Sequence, residues 1–118
     1  PNYLAAQKAL DGIALRHEAI ARNIANLDTP GYKRVDLAPS FRTELARAIG
    51  SADARQLKSL QPTLAPDAAA VAAGPDGNNV NLESEMVALS QNTLAHALES
   101  QLITNALQRM RLAITGKQ

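Results

Sequence analysis

Cysteine is absent from the 118 residues, which removes disulfide frameworks, thiolate nucleophiles and Cys-ligated zinc from consideration. Tryptophan is absent too, and one Phe and two Tyr make up the whole aromatic content. Aromatic side chains usually dominate cores and interfaces. A core built here from Leu, Ile, Val, Ala and Met suits helix-on-helix packing better than a β-sandwich. The formal net charge is +1, with no dense Lys/Arg block, so nucleic acid is not an expected partner. No apolar run reaches the roughly 18 residues of a membrane-crossing helix. The opening residues lack a charged stretch followed by an apolar one, so no cleavable Sec signal is expected among them.

Catalytic patterns are missing as well. There is no phosphate-binding glycine loop, nucleophile motif or paired-carboxylate site. The chain is therefore not expected to be an enzyme, and no cofactor or metal is expected. His17 and His96 lie in apolar stripes without an accompanying Cys, Asp or Glu set. They read as packing or interface residues rather than metal ligands.

What the chain does have is helical periodicity at both ends. Tyr3, Ala6, Leu10, Ile13, His17, Ile20, Ile24 and Leu27 recur at spacings of three and four, the seam of a coiled-coil helix. A helix over residues 2–26 would be about 38 Å long, with Gly12 its one weak spot. It stops at Asp28-Thr29-Pro30-Gly31-Tyr32. Pro disfavours helix for the residue before it, and Pro30-Gly31 fits the centre of a type II turn, with Gly at positive φ. Asn23, Asn26 and Asp28 offer side-chain hydrogen bonds to the backbone groups freed there.

The middle is harder to place. Residues 33–40 read as extended. Ser40 is the expected cap of a short amphipathic helix carrying Phe41, Leu45 and Ile49 and ended by Gly50. Residues 51–79 hold Pro62, Pro66, Gly74, Pro75 and Gly77 around an Ala-rich patch, and read as a loosely ordered loop.

Asn81 opens a second long helix over residues 82–115, about 51 Å long. Glu83 and Glu85 lie in its first turn, where the helix dipole favours anions. Arg109, Arg111 and Lys117 lie near its end, and Gly116 suits the C′ position. One face carries Leu82, Met86, Leu89, Ile103, Leu107, Met110 and Ile114, interrupted by Thr93, His96 and Ser100. The polar trio reads as a partly solvated turn or as a device that fixes register. At about 100° per residue, Val87, Leu94, Leu98 and Leu112 fall on the opposite side. A helix with one neighbour shows one stripe, so the second face is expected to meet another subunit.

The segment Asn23-Ile24-Ala25-Asn26-Leu27-Asp28-Thr29-Pro30-Gly31-Tyr32-Lys33 resembles the signature of the bacterial flagellar axial family, the rod and hook proteins. In that family an "ANxxTPGY" sequence follows the N-terminal helix. Ala25-Asn26 and Thr29-Pro30-Gly31-Tyr32 match it, and Leu27-Asp28 fill its variable pair. Residues 77–86, GNNVNLESEM, resemble the start of the family's C-terminal helix. The short middle region is most similar to the proximal rod members, although residues 51–75 match no known pattern.

The resemblance implies a structural subunit of the proximal rod in the flagellar basal body. Such a subunit leaves through the flagellar type III export apparatus without a cleaved signal, and assembles in the periplasm into the hollow shaft. Its implied partners are other copies of itself, other rod proteins, and the ring and rod-adaptor proteins at the rod base. The expected fold is all-α. Two long antiparallel helices, in parts 1–27 and 81–118, form a coiled-coil-like hairpin. Residues 28–80 supply a turn, an extended arm, a short helix and a loop. The clearest seam residues are Ile13, Ile20 and Ile24 on one helix and Leu89, Ile103, Leu107 and Met110 on the other. Competing readings are another proximal rod protein of the family, and a soluble helical-hairpin adaptor or secretion chaperone.

Overall fold

The computed structural model describes residues 2–72 and 74–116; Lys117 lies outside them. Helix α1 spans Asn2–Ala25, strand β1 Val35–Leu37, helix α2 Pro39–Ser51, helix α3 Ala54–Ser59, strand β2 Leu64–Pro66 and helix α4 Leu82–Thr115. The molecule is elongated, with extents of 64 × 27 × 15 Å.

Local chemistry sets both long helices. After α1 the Thr29 carbonyl accepts from the Tyr32 amide at 3.2 Å, and Gly31 sits at φ +74°, as the Pro-Gly turn requires. Asn26 closes the helix end by donating its side-chain amide to the Arg22 carbonyl at 2.8 Å. Asp28 stays exposed. For α4, the Asn81 side chain accepts from the Ser84 amide, and Gly116 takes the left-handed conformation at φ +66°. Both ends fall where the caps predict them.

The middle departs from expectation. Ser40 does not cap α2. The helix starts two residues earlier than that cap implies, at Pro39, whose fixed φ suits a first helical position, and Ala38 stands before it without a side-chain cap. Nor does Gly50 end it; Ala52 takes the left-handed turn at φ +53°. The expected loop over 51–79 holds two ordered elements. Asp53 caps α3 by accepting from the Arg55 and Gln56 amides at 3.0 and 3.2 Å. β2 then pairs antiparallel with β1, Asp36 opposite Ala65. Because of this small sheet, the fold is mostly helical but not strictly all-α.

Leu57 and Leu60 join Phe41 and Ala48 in a compact core, with Leu4, Ala5, Leu37 and Leu45 packed around it. Gly12 belongs to this contact rather than being a weak spot. A Cβ there would lie 2.7 Å from Phe41 Cε2, so its missing side chain makes room for the one Phe ring.

α1 and α4 run in opposite directions. Asn23 meets Glu85, Asn92 donates to the Ile13 carbonyl at 2.9 Å, and Ala5, Ala6 and Ala9 share a groove with Glu99, Leu102 and Ala106. The face of α4 turned to α1 is not the expected apolar one. It is a stripe of small and polar residues: Glu85, Ala88 and Asn92 are buried, and Ala95 and Glu99 partly so. This stripe lies about a quarter turn from the expected face. Small residues let the helix backbones approach closely, and α2, α3 and the sheet already cover much of α1. Leu89 and Ile103 remain partly buried, whereas Leu107 and Met110, expected in the seam, are exposed. Past about residue 106, α4 runs beyond the start of α1, and every residue from 107 to 116 is exposed.

Candidate functional site

Two features stand out: a buried polar node at the start of α4, and a long uncovered apolar surface along the rest of it.

The node forms where α1 ends, the arm 32–36 passes, and α4 begins. Asn23, fully buried, grips the arm backbone from both sides. It donates to the Val35 carbonyl at 2.8 Å and accepts from the Val35 amide at 2.9 Å, as a neighbouring strand would. Its Oδ1 also accepts from the Tyr32 hydroxyl at 3.1 Å. Below it lies Glu85, 0% exposed. Arg34 answers that charge. Nε donates to Glu85 Oε1 at 2.7 Å, and Nη2 approaches Oε2 at 3.4 Å. Arg34 Nη1 reaches Asp67 at 2.6 Å and Asp36 at 3.1 Å. Arg16 of α1 pairs with the other Asp36 oxygen at 3.1 Å.

Titration follows from this arrangement. Burial alone would lower the Arg34 pKa, but hydrogen bonds to Glu85 and Asp67 outweigh it and hold the guanidinium above its ordinary value. Burial pushes Asp36 up; the Leu37 amide and the two arginines more than offset this, so its carboxyl lies below the usual range. Burial is the main cause that raises Tyr32.

Asn78 and Asn79 complete the node. Asn78 Nδ2 lies 2.9, 3.1 and 2.8 Å from the Asn26, Leu27 and Thr29 carbonyls, so it caps the end of α1 from 49 or more residues away. Asn79 accepts from the Arg34 amide at 2.6 Å. The node thus ties α1, the arm, the residue after β2 and the first turn of α4 together.

Of the signature residues, the structure brings Asn23 and Tyr32 into this node. Ile24 and Asn26 are partly buried beside it, and Ala25, Thr29, Pro30 and Gly31 lie on the surface. Sequence reasoning missed Arg34, Asp36, Asp67, Asn78, Asn79 and the true role of Glu85. The signals were faint: a tandem Asn pair before a helix, and a first-turn Glu on the face that meets α1.

Among the packing residues, Ile20 is buried, and Leu10, Ile13, Leu27, Leu89 and Ile103 are partly buried. Leu82, Met86, Leu94, Leu98, Leu107, Met110 and Ile114 are exposed, with Leu94 at 62%, Leu98 at 60% and Ile114 at 83%. His17 and His96 are both exposed and flank a shallow cavity between α1 and α4.

A family model described as "Flagella basal body rod protein" matches residues 4–33, that is, α1 and the turn. The chain is 31% identical to the flagellar basal body rod protein FlgB of Borrelia hermsii, over 92% of each chain. The chain belongs to the FlgB family of flagellar basal body rod proteins. Escherichia coli K12 FlgB is 29% identical over 88% of this chain and 86% of its own. A Cereibacter sphaeroides FlgB is 31% identical over 86% and 84%. Membership of the FlgB family makes this a structural rod subunit of the flagellar basal body, associated with other rod components. The region matched by the family model contains Asn23 and Tyr32 but stops one residue short of Arg34.

Proposed function

We propose that this rod subunit assembles through its terminal helices, with copies of itself and with other rod proteins, into the wall of the hollow proximal rod. The carrying observation is that α4 spends its small and polar stripe on α1 and leaves Leu94, Leu98, Leu102 and Met110 more than half exposed. A monomeric protein rarely leaves so long an apolar row uncovered. α1 and α4 act as a coiled-coil-like hairpin core, and the region 28–80 is the arm, which Pro30 and Gly31 turn away from the tube wall. The subunit crosses the inner membrane through the flagellar type III export apparatus and works in the periplasmic part of the basal body, with ring and rod-adaptor proteins at the rod base. Its role is mechanical rather than catalytic.

The test is complementation of a flagellated host that lacks its own copy of the gene. Wild-type chain restores motility and co-purifies with basal bodies. Leu94→Lys/Leu98→Lys folds normally, because neither side chain is in the core, but it fails to enter the rod. Normal incorporation of that variant, or wild-type chain retained in the cytosol, contradicts the proposal.

A further inference from the structure

Two surfaces lie at opposite ends of α4, one where the node opens to solvent and the other past the point where α1 covers it. At its start, a groove of about 690 Å³ opens between the first turns of α4 and the segment after β2. Asp36, Asp67, Glu83 and Glu85 line it against only Arg16 and Arg34, so the groove carries excess negative charge. Arg34 engages three of the carboxylates. Glu83, exposed at the mouth, has no ion pair with a described residue. Val71, 83% exposed, and Val87, 57% exposed, form an apolar rim.

The other end is the complement. Residues 107–116 carry Leu107, Met110, Leu112 and Ile114 together with Arg109 and Arg111. No acidic residue follows Glu99 in the chain, and neither arginine is ion-paired with a described residue.

We infer that the basic, apolar C-terminal end of α4 in one copy docks into the acidic groove at the start of α4 in the next copy. Its arginines meet Glu83, and its apolar side chains close over Val71 and Val87. The pairing rests on the assembly reading above and specifies its contact. The two surfaces cannot meet within one chain, because about 40 Å of helix separates Glu83 from Met110. They differ from each other, so the contact is head-to-tail, and repeated along the chain it propagates as a ring or an open helical array. Opposite charge then sets register and excludes a like-to-like dimer.

Because the chain has no native cysteine, disulfide trapping reads this contact directly. Val87→Cys and Met110→Cys are placed at exposed positions, in the full chain, and oxidised after concentration and in isolated basal bodies. The expected result is no crosslink within either single variant, a dimer from their mixture, and a ladder from the double variant. Reversal at Arg109→Glu/Arg111→Glu lowers mixed-dimer yield on the order of tenfold, and Glu83→Arg in the partner chain restores it. Dimers from Val87→Cys alone overturn the pairing. So does a mixture that yields none while wild-type chain still reaches basal bodies. Wild-type chain that neither associates in solution nor reaches basal bodies overturns the assembly reading itself, and the pairing with it.

Discussion

Replacing Arg34 by Leu tests the polar node. The guanidinium contacts three carboxylates, at 2.6 Å to Asp67, 2.7 Å to Glu85 and 3.1 Å to Asp36. These are not equal losses. The Asp36 and Asp67 side chains are 23% and 28% exposed, so water replaces much of what they lose. Glu85 is 0% exposed, and its remaining polar partner is the Asn23 amide at 3.4 Å. Stranding one buried charge costs about 3–5 kcal/mol. A domain of this size has roughly 5–15 kcal/mol of total stability, so the variant should lose a large share of it at neutral pH. Urea denaturation followed by circular dichroism at 222 nm reads the loss. Adding Glu85→Leu to Arg34→Leu should recover part of it, because the stranded charge is then gone. An Arg34→Leu cost under about 1 kcal/mol, or a double variant as unstable as the single, would refute the claim that Glu85 depends on Arg34.

Further outcomes follow from the same geometry. Gly12→Ala should destabilise by about 1–3 kcal/mol despite the higher helix propensity of Ala, because its Cβ overpacks Phe41; equal or raised stability in a urea titration would contradict this. Asp36 has a folded pKa below its unfolded value. Its contribution is therefore fully present above the ordinary carboxylate range near pH 4 and is lost as pH falls through the lower folded value. The urea midpoint of wild-type chain should fall with acidification in that window, and Asp36→Asn should flatten the fall; an unchanged slope counts against the assignment.

The two long helices were legible because their signals are local. Asn81, Gly116 and the Thr29-Tyr32 turn mark helix ends with local chemistry, although Asn78 adds a distant cap to the end of α1. The α4 face was not legible. Periodicity assigns the greasiest stripe to the nearest helix, but α1 takes the stripe of Glu85, Ala88 and Asn92, and the apolar row is left outward. Glu85 was hidden for the same reason. A first-turn Glu satisfies the helix dipole in sequence, and nothing nearby announces Arg34, 51 residues away. The strands were too short for alternation to register, at three residues each. Leu57 and Leu60 lay in a stretch whose Pro and Gly content read as loop. Tyr32 was marked by resemblance and Asn23 as a polar residue near a helix end, but their shared hydrogen bond across the turn emerged only with the fold.

In the proposed assembly, neighbouring subunits cover the outer face of α4. A single cysteine at Leu98, in a chain without native cysteine, measures this through its maleimide reactivity. In the free chain Leu98→Cys should label at the rate of an exposed thiol. In isolated basal bodies the same residue should be protected. Equal labelling in both states would mean that no neighbour covers this face.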